Sequence, residues 1–343
     1  MRYQRPARGQ VRDSNSHETP GHPARGQVRD INRDNIIMRI EKAYITTEIE
    51  HWNDIFRLNQ RFMSNFVFRG QGNAEWGLNT SLARMVEGHH PNYIDKNMPA
   101  SYEQRMVDEF RWKYPSYEKS HIPGPKEAIE WLSLMQHYGS PTRMLDFSYS
   151  MYVAMFMAID GSFFDKSAIW ALNKHVLSEK VFAKYCAENN TNVAATSDLD
   201  RYTYNEATTA INNRFVIYKE NPDLFLYAIR PLLSNERINR QQGLFVIPSS
   251  IEVGFEEILK DYYDDSFYGT MSFDDVVRMS VDHSYGQHTV SVLKIEIPKK
   301  LKYGISNVLR QMNITSETMY PGLDGLARSM SCLRDSMGDY NAD

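Results

Sequence analysis

An arginine stands at the end of a short apolar stretch, and the sequence Gly-Gln-Gly follows it. The run Phe66–Phe68 is typical of a strand, and Arg69-Gly70-Gln71 follows it directly. The planar guanidinium of arginine matches the oxygens of a phosphate, and glycine lets a ligand approach the backbone closely. We therefore predict that Arg69, Gly70 and Gln71 bind a phosphate-bearing ligand. The alternative is a simple ion pair between Arg69 and Glu75 or another carboxylate.

A second polar cluster occupies the run Gln136–Arg143. Gly139 is suited to a left-handed helix cap. His137 and Tyr138 stand beside this turn, where they either contact a ligand or pack against the helix end. Thr142 and Arg143 are neighbours on a strand, so they point to opposite faces and at most one of them lies in a given pocket.

The acidic residue Asp146 follows this cluster and is paired in sequence with Phe147. Asp146 has two alternative roles: its carboxylate accepts a hydrogen bond from Arg143, or it caps the helix that begins near Met151. We include Asp146 among the candidate catalytic residues.

A third polar segment leads into the apolar run Leu244–Ile247. Arg237, Gln241 and Gln242 stand at the start of this predicted strand, where they either enter a pocket or are ordinary surface residues.

Other features exclude several classes of protein. The sequence has no Walker loop, dinucleotide-binding glycine motif, His-Glu-x-x-His motif or nucleophile elbow, and His283 and His288 have no third ligand nearby, so we expect no metal site. A formal charge of −4 argues against a dedicated binder of double-stranded DNA. Cys186 and Cys332 form no disulfide framework, and no apolar run suits a membrane span or signal peptide. We therefore expect a cytoplasmic protein without membrane association.

The elements that must position these residues alternate between strand and helix without regular pacing, which favours an α+β fold. Residues 1–35 are polar, basic and internally repeated, and we expect a disordered tail that either touches nucleic acid or has no role. One domain is expected over residues 36–330, followed by a C-terminal tail at 331–343.

We predict helices over Thr47–Phe62, Tyr102–Tyr114 (closed by Pro115), Lys126–His137, Met151–Ile159 and Lys299–Gln311. Strands are predicted over Phe66–Phe68, Met144–Phe147, Ala168–Leu172, Leu224–Ile229, Leu244–Ile247 and Val290–Ile297. The polar region 186–223 is interpreted as a lid or an insertion.

The three polar segments together closely resemble the FRG-domain family of bacteria and phages. The resemblance rests on the runs Phe68–Gln71, Leu78–Arg84, Gln136–Phe147, Ala154–Ala158, Arg237–Phe245 and Tyr320–Leu326, and it extends over about residues 45–330. Where the family usually has threonine after the Asp-aromatic pair, this chain has Ser148, which keeps the hydroxyl. The resemblance implies a single FRG-type domain.

The order of these motifs is also similar to that of mono-ADP-ribosyltransferase toxins. This similarity implies a mixed-sheet ADP-ribosyltransferase-like core with surrounding helices and NAD as substrate. Arg69 would hold the diphosphate, assisted by Arg143 or Arg237, and Tyr138 or Phe147 would stack on the nicotinamide. Gln241 stands where these enzymes generally have a glutamate, and a glutamine cannot act as a base.

The function that this resemblance implies is a toxin-like ADP-ribosyltransferase in a toxin–antitoxin or anti-phage system. Its expected acceptor is nucleic acid, RNA in preference to protein, and a neutralising antitoxin protein is an expected partner. The alternatives are a non-enzymatic module that senses a nucleotide or phage component, and an NAD hydrolase or nuclease that uses Asp146 and His137.

Overall fold

A computed structural model describes residues 41–62, 65–89, 98–119, 122–212, 224–263, 268–279 and 288–330. The predicted tails at 1–35 and 331–343 lie outside these ranges. The described residues all belong to one compact unit, Arg39–Asp343.

A mixed eight-stranded sheet forms the centre of this unit. The strands are β1 (Glu41–Glu48), β2 (Phe66–Gln71), β3 (Leu145–Ser148), β4 (Lys166–Asn173), β5 (Leu226–Ile229), β6 (Gly243–Pro248), β7 (Tyr268–Thr270) and β8 (His288–Pro298). Their order across the sheet is β5-β6-β3-β2-β4-β8-β1-β7. The strand β1 is parallel to both of its neighbours, whereas the other pairs are antiparallel. The predicted mixture of strands and helices is confirmed.

Helices cover both faces of the sheet. They are α1 (Asp54–Phe62), α2 (Ser81–His89), α3 (Met98–Tyr117), α4 (Ala128–His137), α5 (Met151–Ile159), α6 (Lys174–Asn189), α7 (Thr196–Asn212), α8 (Glu236–Arg240), α9 (Phe255–Leu259), α10 (Phe273–Met279), α11 (Lys299–Gln311), α12 (Ser316–Met319) and α13 (Leu323–Ser329). A single 3₁₀ turn, Lys260–Tyr262, follows α9. In the part of the chain that the structure describes, no helix is long and apolar enough to cross a bilayer.

Side-chain alternation along the strands separates the two faces of the sheet. Phe66 and Phe68 of β2 pack with α5, and we name this side the α5 face. Val67 packs with α9 residues such as Phe255 on the other side, the α9 face. Arg69 follows Val67 by two positions and therefore lies on the α9 face.

The strands β2 and β3 diverge next to Arg69. They are paired only at Phe68 and Ser148, although the antiparallel register would continue with Arg69 opposite Phe147. Beyond Phe68, β2 pairs with β4 alone, and Arg69 lies opposite Trp170 there. The strands β2 and β3 therefore share one residue pair in this register, and we call the region beside it, at Arg69, the β2–β3 opening.

The helix α5 packs unusually close to β2 because Gly70 has no side chain. A Cβ atom at Gly70 would lie 2.0 Å from the carbonyl oxygen of Ala154 and 2.5 Å from the amide nitrogen of Ala158. Ser150 starts α5 by accepting a hydrogen bond from Val153 N at 3.3 Å. The capping role considered for Asp146 therefore belongs to Ser150.

Several predicted elements match the structure and others are wrong. The helices Met151–Ile159 and Lys299–Gln311 are confirmed to the residue. The predicted helix Thr47–Phe62 is wrong over its first part, where β1 extends to Glu48 and α1 begins only at Asp54. Pro115 lies inside α3 because it falls in the last turn, where it removes only one backbone hydrogen bond.

The region 186–223, interpreted as a lid or an insertion, is largely helical where it is described. The end of α6 and all of α7 lie in it, and Ala207 and Ile211 of α7 are buried in a core shared with α4 and β6. Residues 213–223 lie outside the described ranges.

Candidate ligand-binding site at the β2–β3 opening

Arg69 reaches across the β2–β3 opening. Its Nη1 atom donates a hydrogen bond to the backbone carbonyl of Asp146 at 2.8 Å. Its Nε atom is buried and has no hydrogen-bond partner among the described residues. Arg69 forms no ion pair with Glu75 or another described carboxylate, so the ion-pair alternative is wrong within the described structure. Buried polar groups are normally hydrogen-bonded, so this unsatisfied N–H is an exception that a bound acceptor would explain.

The charge of Arg69 is held in a partly desolvated place. Burial lowers the pKa of Arg69, the Asp146 carboxylate opposes this effect, and the positive charge of Arg84 adds to it. Arg84 lies on α2, and its Nη1 donates to the Asn79 carbonyl at 2.6 Å. A guanidinium that has lost part of its hydration binds an anion more strongly than an exposed one.

Asp146 presents an exposed carboxylate on the α5 face. Its Oδ2 atom accepts a hydrogen bond from Gln136 Nε2 at 2.9 Å. The Oε1 atom of Gln136 in turn accepts from the hydroxyl of the fully buried Thr142, which also accepts from Met144 N at 3.2 Å. Thr142 therefore orients Gln136 and Gln136 orients Asp146, so Thr142 positions the site without facing the opening.

Arg143 does not reach the opening. Its side chain is buried and forms an ion pair with the equally buried Glu103 of α3, with Nε 2.9 Å from Oε1. The predicted ligand contact by Arg143 is therefore wrong, because its guanidinium is already paired inside the protein. The expected hydrogen bond from Arg143 to Asp146 is also absent among the described contacts.

Three other predicted binding residues are engaged in packing or in internal hydrogen bonds. Gly70 lies beneath α5, and Phe147 is buried in the α9-face core with Trp170. Gln71 is buried between two partners: it accepts from Trp170 Nε1 at 2.7 Å and donates to the Gly77 carbonyl at 2.9 Å. Stacking of a nicotinamide on Phe147 is inconsistent with this burial.

His137 and Tyr138 have different surroundings, although their rings contact each other edge to face with centroids 4.9 Å apart. His137 is half-buried at the end of α4, where burial lowers its pKa and the nearby positive charge of Arg237 lowers it further. Tyr138 is 64% exposed and lines a groove of about 800 Å³ with Tyr114 and other residues of α3. The predicted left-handed cap is confirmed, since Gly139 has φ of 82°.

The third segment lies against β3 through its backbone. Ser148 Oγ donates to the Gln241 carbonyl at 2.7 Å, and Gln241 Nε2 donates to the Met319 carbonyl at 3.0 Å. The side chain of Gln241 therefore links α8 to α12, and it has no hydrogen bond to Arg69 among the described residues. Arg237 lies 5.1 Å above the ring of Tyr320, and its guanidinium has no hydrogen bond or ion pair among the described residues.

Comparison with known families identifies the first two segments. Residues 64–166 match the model of the FRG domain. The chain therefore contains an FRG domain over these residues. No curated protein and no solved structure matches the chain. The FRG match includes Arg69, Gln136 and Asp146, whereas Arg237 and Gln241 follow it.

Sequence reasoning missed two residues near the site. Gln136 was treated only as part of its motif run, although it orients Asp146 directly. Tyr320 was treated only as part of a closing motif, but it is buried between charges, and Arg328 lies 4.2 Å from its ring. Burial raises the pKa of Tyr320, and the Asp160 carboxylate raises it further. The sequence signal that could have revealed both residues is that each lies in a run that resembles the FRG-domain family.

No cluster of potential metal ligands accompanies these residues. Within the described ranges, no three histidine, cysteine, aspartate or glutamate side chains converge. His283 lies outside those ranges, and His288 is the first residue of β8.

Proposed function

We propose that this protein is a toxin-like ADP-ribosyltransferase that binds NAD at the β2–β3 opening and modifies a macromolecule. The observation that carries the proposal is the buried Nε of Arg69, a donor without a partner beside a divergence of two strands. Such a guanidinium suits one phosphate oxygen of a diphosphate. Arg237 adds a second positive charge beside His137, and within the described ranges it has no hydrogen bond or ion pair.

The adjacency of three strands supports the proposal further. The sheet places β6, β3 and β2 side by side, so the segment with Gln241, the segment with Ser148 and the segment with Arg69 are neighbours. In ADP-ribosyltransferases the strand that carries the arginine, the strand that carries the hydroxyl residue and the later polar segment must be neighbours in the folded protein. Here two of these segments are in direct contact, since the Ser148 hydroxyl donates a hydrogen bond to the Gln241 carbonyl.

The chemistry assigns a role to Asp146. In ADP-ribosyl transfer the bond between ribose C1′ and the nicotinamide nitrogen breaks, and its electrons leave with nicotinamide. The resulting oxocarbenium-like carbon gains a bond to the acceptor, whose proton must be removed. Asp146 is a carboxylate held in place by Gln136, so it stabilises the cationic carbon and accepts that proton. Gln241 holds α8 in position, because its amide cannot act as a base.

The proposed acceptor is nucleic acid, with RNA preferred over protein, and the proposed setting is a cytoplasmic toxin–antitoxin or anti-phage system with a neutralising protein partner. This part of the proposal rests on the family resemblance and on the motif order. An NAD hydrolase, or a nuclease that uses Asp146 and His137, is distinguished from a transferase by its products.

The test uses the purified full chain with NAD labelled in its adenylate part and separate pools of RNA, DNA and protein. Transfer of label to one pool supports the transferase. Release of nicotinamide without transfer supports a hydrolase, and unchanged NAD with every pool refutes both. RNA cleavage without any change in NAD indicates a nuclease.

Two variants locate the activity. Arg69→Ala removes a charge-assisted hydrogen bond and should weaken NAD binding about 10- to 150-fold. Asp146→Asn keeps an acceptor for Gln136 but removes the charge, and should lower transfer about 100- to 1,000-fold with NAD binding retained. The matched controls are Arg201→Ala and Asp198→Asn on α7, where the two exposed residues pair with each other. Full activity of Arg69→Ala contradicts the site assignment.

A non-enzymatic nucleotide sensor is the second candidate, and the contacts of Gln241 favour it. The side-chain amide is neutral and donates to Met319, so it supplies no charge at the opening. A sensor binds NAD or another nucleotide through Arg69 and leaves it intact. Binding that depends on Arg69, with no turnover in any acceptor pool, supports this function over the enzyme.

A further inference from the structure

A separate cavity of about 510 Å³ lies on the α9 face of the sheet. Four aromatic side chains line it: Tyr44, Trp76, Trp170 and Tyr263. Lys294 and Glu256 contribute opposite charges, and the rest of the lining includes one more lysine and one more glutamate. The volume falls in the range of roughly 300–1,000 Å³ that is usual for small-molecule sites.

Lys294 makes this cavity suitable for an anion. Its Nζ atom lies 4.9 Å from the centre of the Trp170 ring and is half-buried. The ammonium has no hydrogen bond or ion pair among the described residues. Because it already covers the face of Trp170, a cationic ligand would meet a like charge there, whereas a phosphate would gain a partner.

The other walls favour a flat ring with hydrogen-bond donors. Trp76 is 50% exposed and packs edge-on against Phe164, so part of its ring system is available for stacking. Glu256 Oε1 accepts from Leu78 N at 2.8 Å, and this bond holds the carboxylate at the cavity. A carboxylate accepts hydrogen bonds from amino groups or ribose hydroxyls. Nucleobases with a sugar supply both of these donors.

The cavity is braced by the residue that follows the Phe-Arg-Gly motif. Gln71 bonds the indole N–H of Trp170 at 2.7 Å and the Gly77 carbonyl at 2.9 Å, and both partners line the cavity. The hydrogen bond to Gln71 fixes the Trp170 indole. In the sheet, Trp170 lies opposite Arg69 on one neighbouring strand and opposite Lys294 on the other. The walls are therefore set before a ligand arrives, which lowers the entropic cost of binding.

We propose that this cavity binds a nucleoside monophosphate, with the base against Trp76 and the phosphate beside Lys294. This site is distinct from the β2–β3 opening and goes beyond the proposed transferase activity.

The test is isothermal titration of the full chain with AMP, GMP, CMP, UMP, adenosine, inorganic phosphate and a 5′-phosphorylated oligonucleotide. At least one monophosphate should bind more tightly than adenosine or phosphate alone. Comparison with the oligonucleotide distinguishes a free nucleotide from the end of a strand. Absence of binding by every monophosphate at about 1 mM overturns the proposal.

Matched variants place the ligand. Trp76→Ala removes a stacking surface and should weaken binding about 5- to 150-fold. Lys294→Met removes the phosphate partner and should weaken binding about 10- to 150-fold. Trp112→Ala, at a 78% exposed tryptophan of α3, and Lys174→Met, at a lysine 4.9 Å from the Tyr149 ring, are the controls and should bind normally.

Arg69→Ala separates the two sites. Monophosphate binding that survives Arg69→Ala and is lost in Trp76→Ala supports the cavity. Binding that is lost in Arg69→Ala and kept in both cavity variants overturns it and assigns the nucleotide to the β2–β3 opening. Circular dichroism checks that each variant is folded, and if Trp76→Ala is not, the folded Lys294→Met variant decides between these outcomes.

Discussion

The glycine after Arg69 determines how closely α5 approaches the sheet, and Gly70→Ala tests this requirement. Gly70 does not have a positive φ, so its backbone conformation is open to alanine. What alanine lacks is space, because its Cβ would lie 2.0 Å from the Ala154 carbonyl oxygen and 2.5 Å from the Ala158 amide nitrogen. Both of these atoms are backbone atoms of α5, so no side-chain rotation relieves the collision.

The magnitude follows from the displacement that is needed. The helix must retreat by about 1.5 Å to restore an ordinary separation of roughly 3.5 Å. Phe68 and the small residues Ala154 and Ala158 would then lose the close packing that buries them. Overpacking of a core costs typically about 1–3 kcal/mol, and a collision with helix backbone belongs at the upper end. We expect Gly70→Ala to lose about 3 kcal/mol or more.

Urea unfolding followed by far-ultraviolet circular dichroism measures this loss as a lower midpoint with an unchanged slope. Gly88→Ala is the matched control, since a Cβ at this exposed α2 position meets nothing within 4 Å. That variant should gain about 0.5–1 kcal/mol from improved helix propensity. Equal midpoints for Gly70→Ala and the wild type would refute the steric argument.

Three further predictions follow from other buried groups. Arg143→Met should lose about 3–5 kcal/mol of unfolding free energy because Glu103 stays buried and unpaired, and adding Glu103→Leu should recover much of it in urea unfolding. The pKa of His137 should lie below 6.5 by NMR titration and should rise in Arg237→Ala, with burial keeping it below 6.5. Because this pKa is depressed on folding, the neutral imidazole contributes stability above pH 6.5 that is lost as the pH falls towards the folded pKa, and a pH profile that is flat there contradicts this sign. Gln241→Glu should cost about 1–3 kcal/mol in thermal or urea unfolding, since a carboxylate cannot donate to the backbone carbonyl of α12 that the amide now bonds.

The elements that could be predicted from the sequence have strong local signals. The helix α5 follows a serine cap and is apolar throughout, and α11 follows Pro298, so both were placed correctly. The strand β1 was missed because its pairing partners lie in β7 and β8, far along the chain, and because the spacing of Ile49, Trp52 and Ile55 just after it fits a helix. The long-range pairing of β1 with β7 and β8 determined its conformation, and the local helical pattern did not.

The candidate site was predictable in its residue types and not in its contacts. Arg69 and Asp146 were recognised as candidates, and the structure joins the Arg69 guanidinium to the backbone carbonyl of Asp146, whereas the Asp146 carboxylate bonds Gln136. Arg143 was equally attractive from sequence, but its partner Glu103 lies on a separate helix that no local pattern connects to it. Glu103 was not recognised as an internal acid, because the charge of a side chain does not reveal whether it will be buried.

The position of β1 in the sheet has a consequence during synthesis of the protein. Its partner β8 leaves the ribosome about 250 residues later, which at roughly 5–20 residues per second means a delay of about 12–50 s. For most of that interval β1 has neither of its two parallel neighbours, and Ile45 of β1 and the following Ile49 lack their final cover. A nascent chain of this protein therefore exposes an unpaired strand until β7 and β8 have emerged.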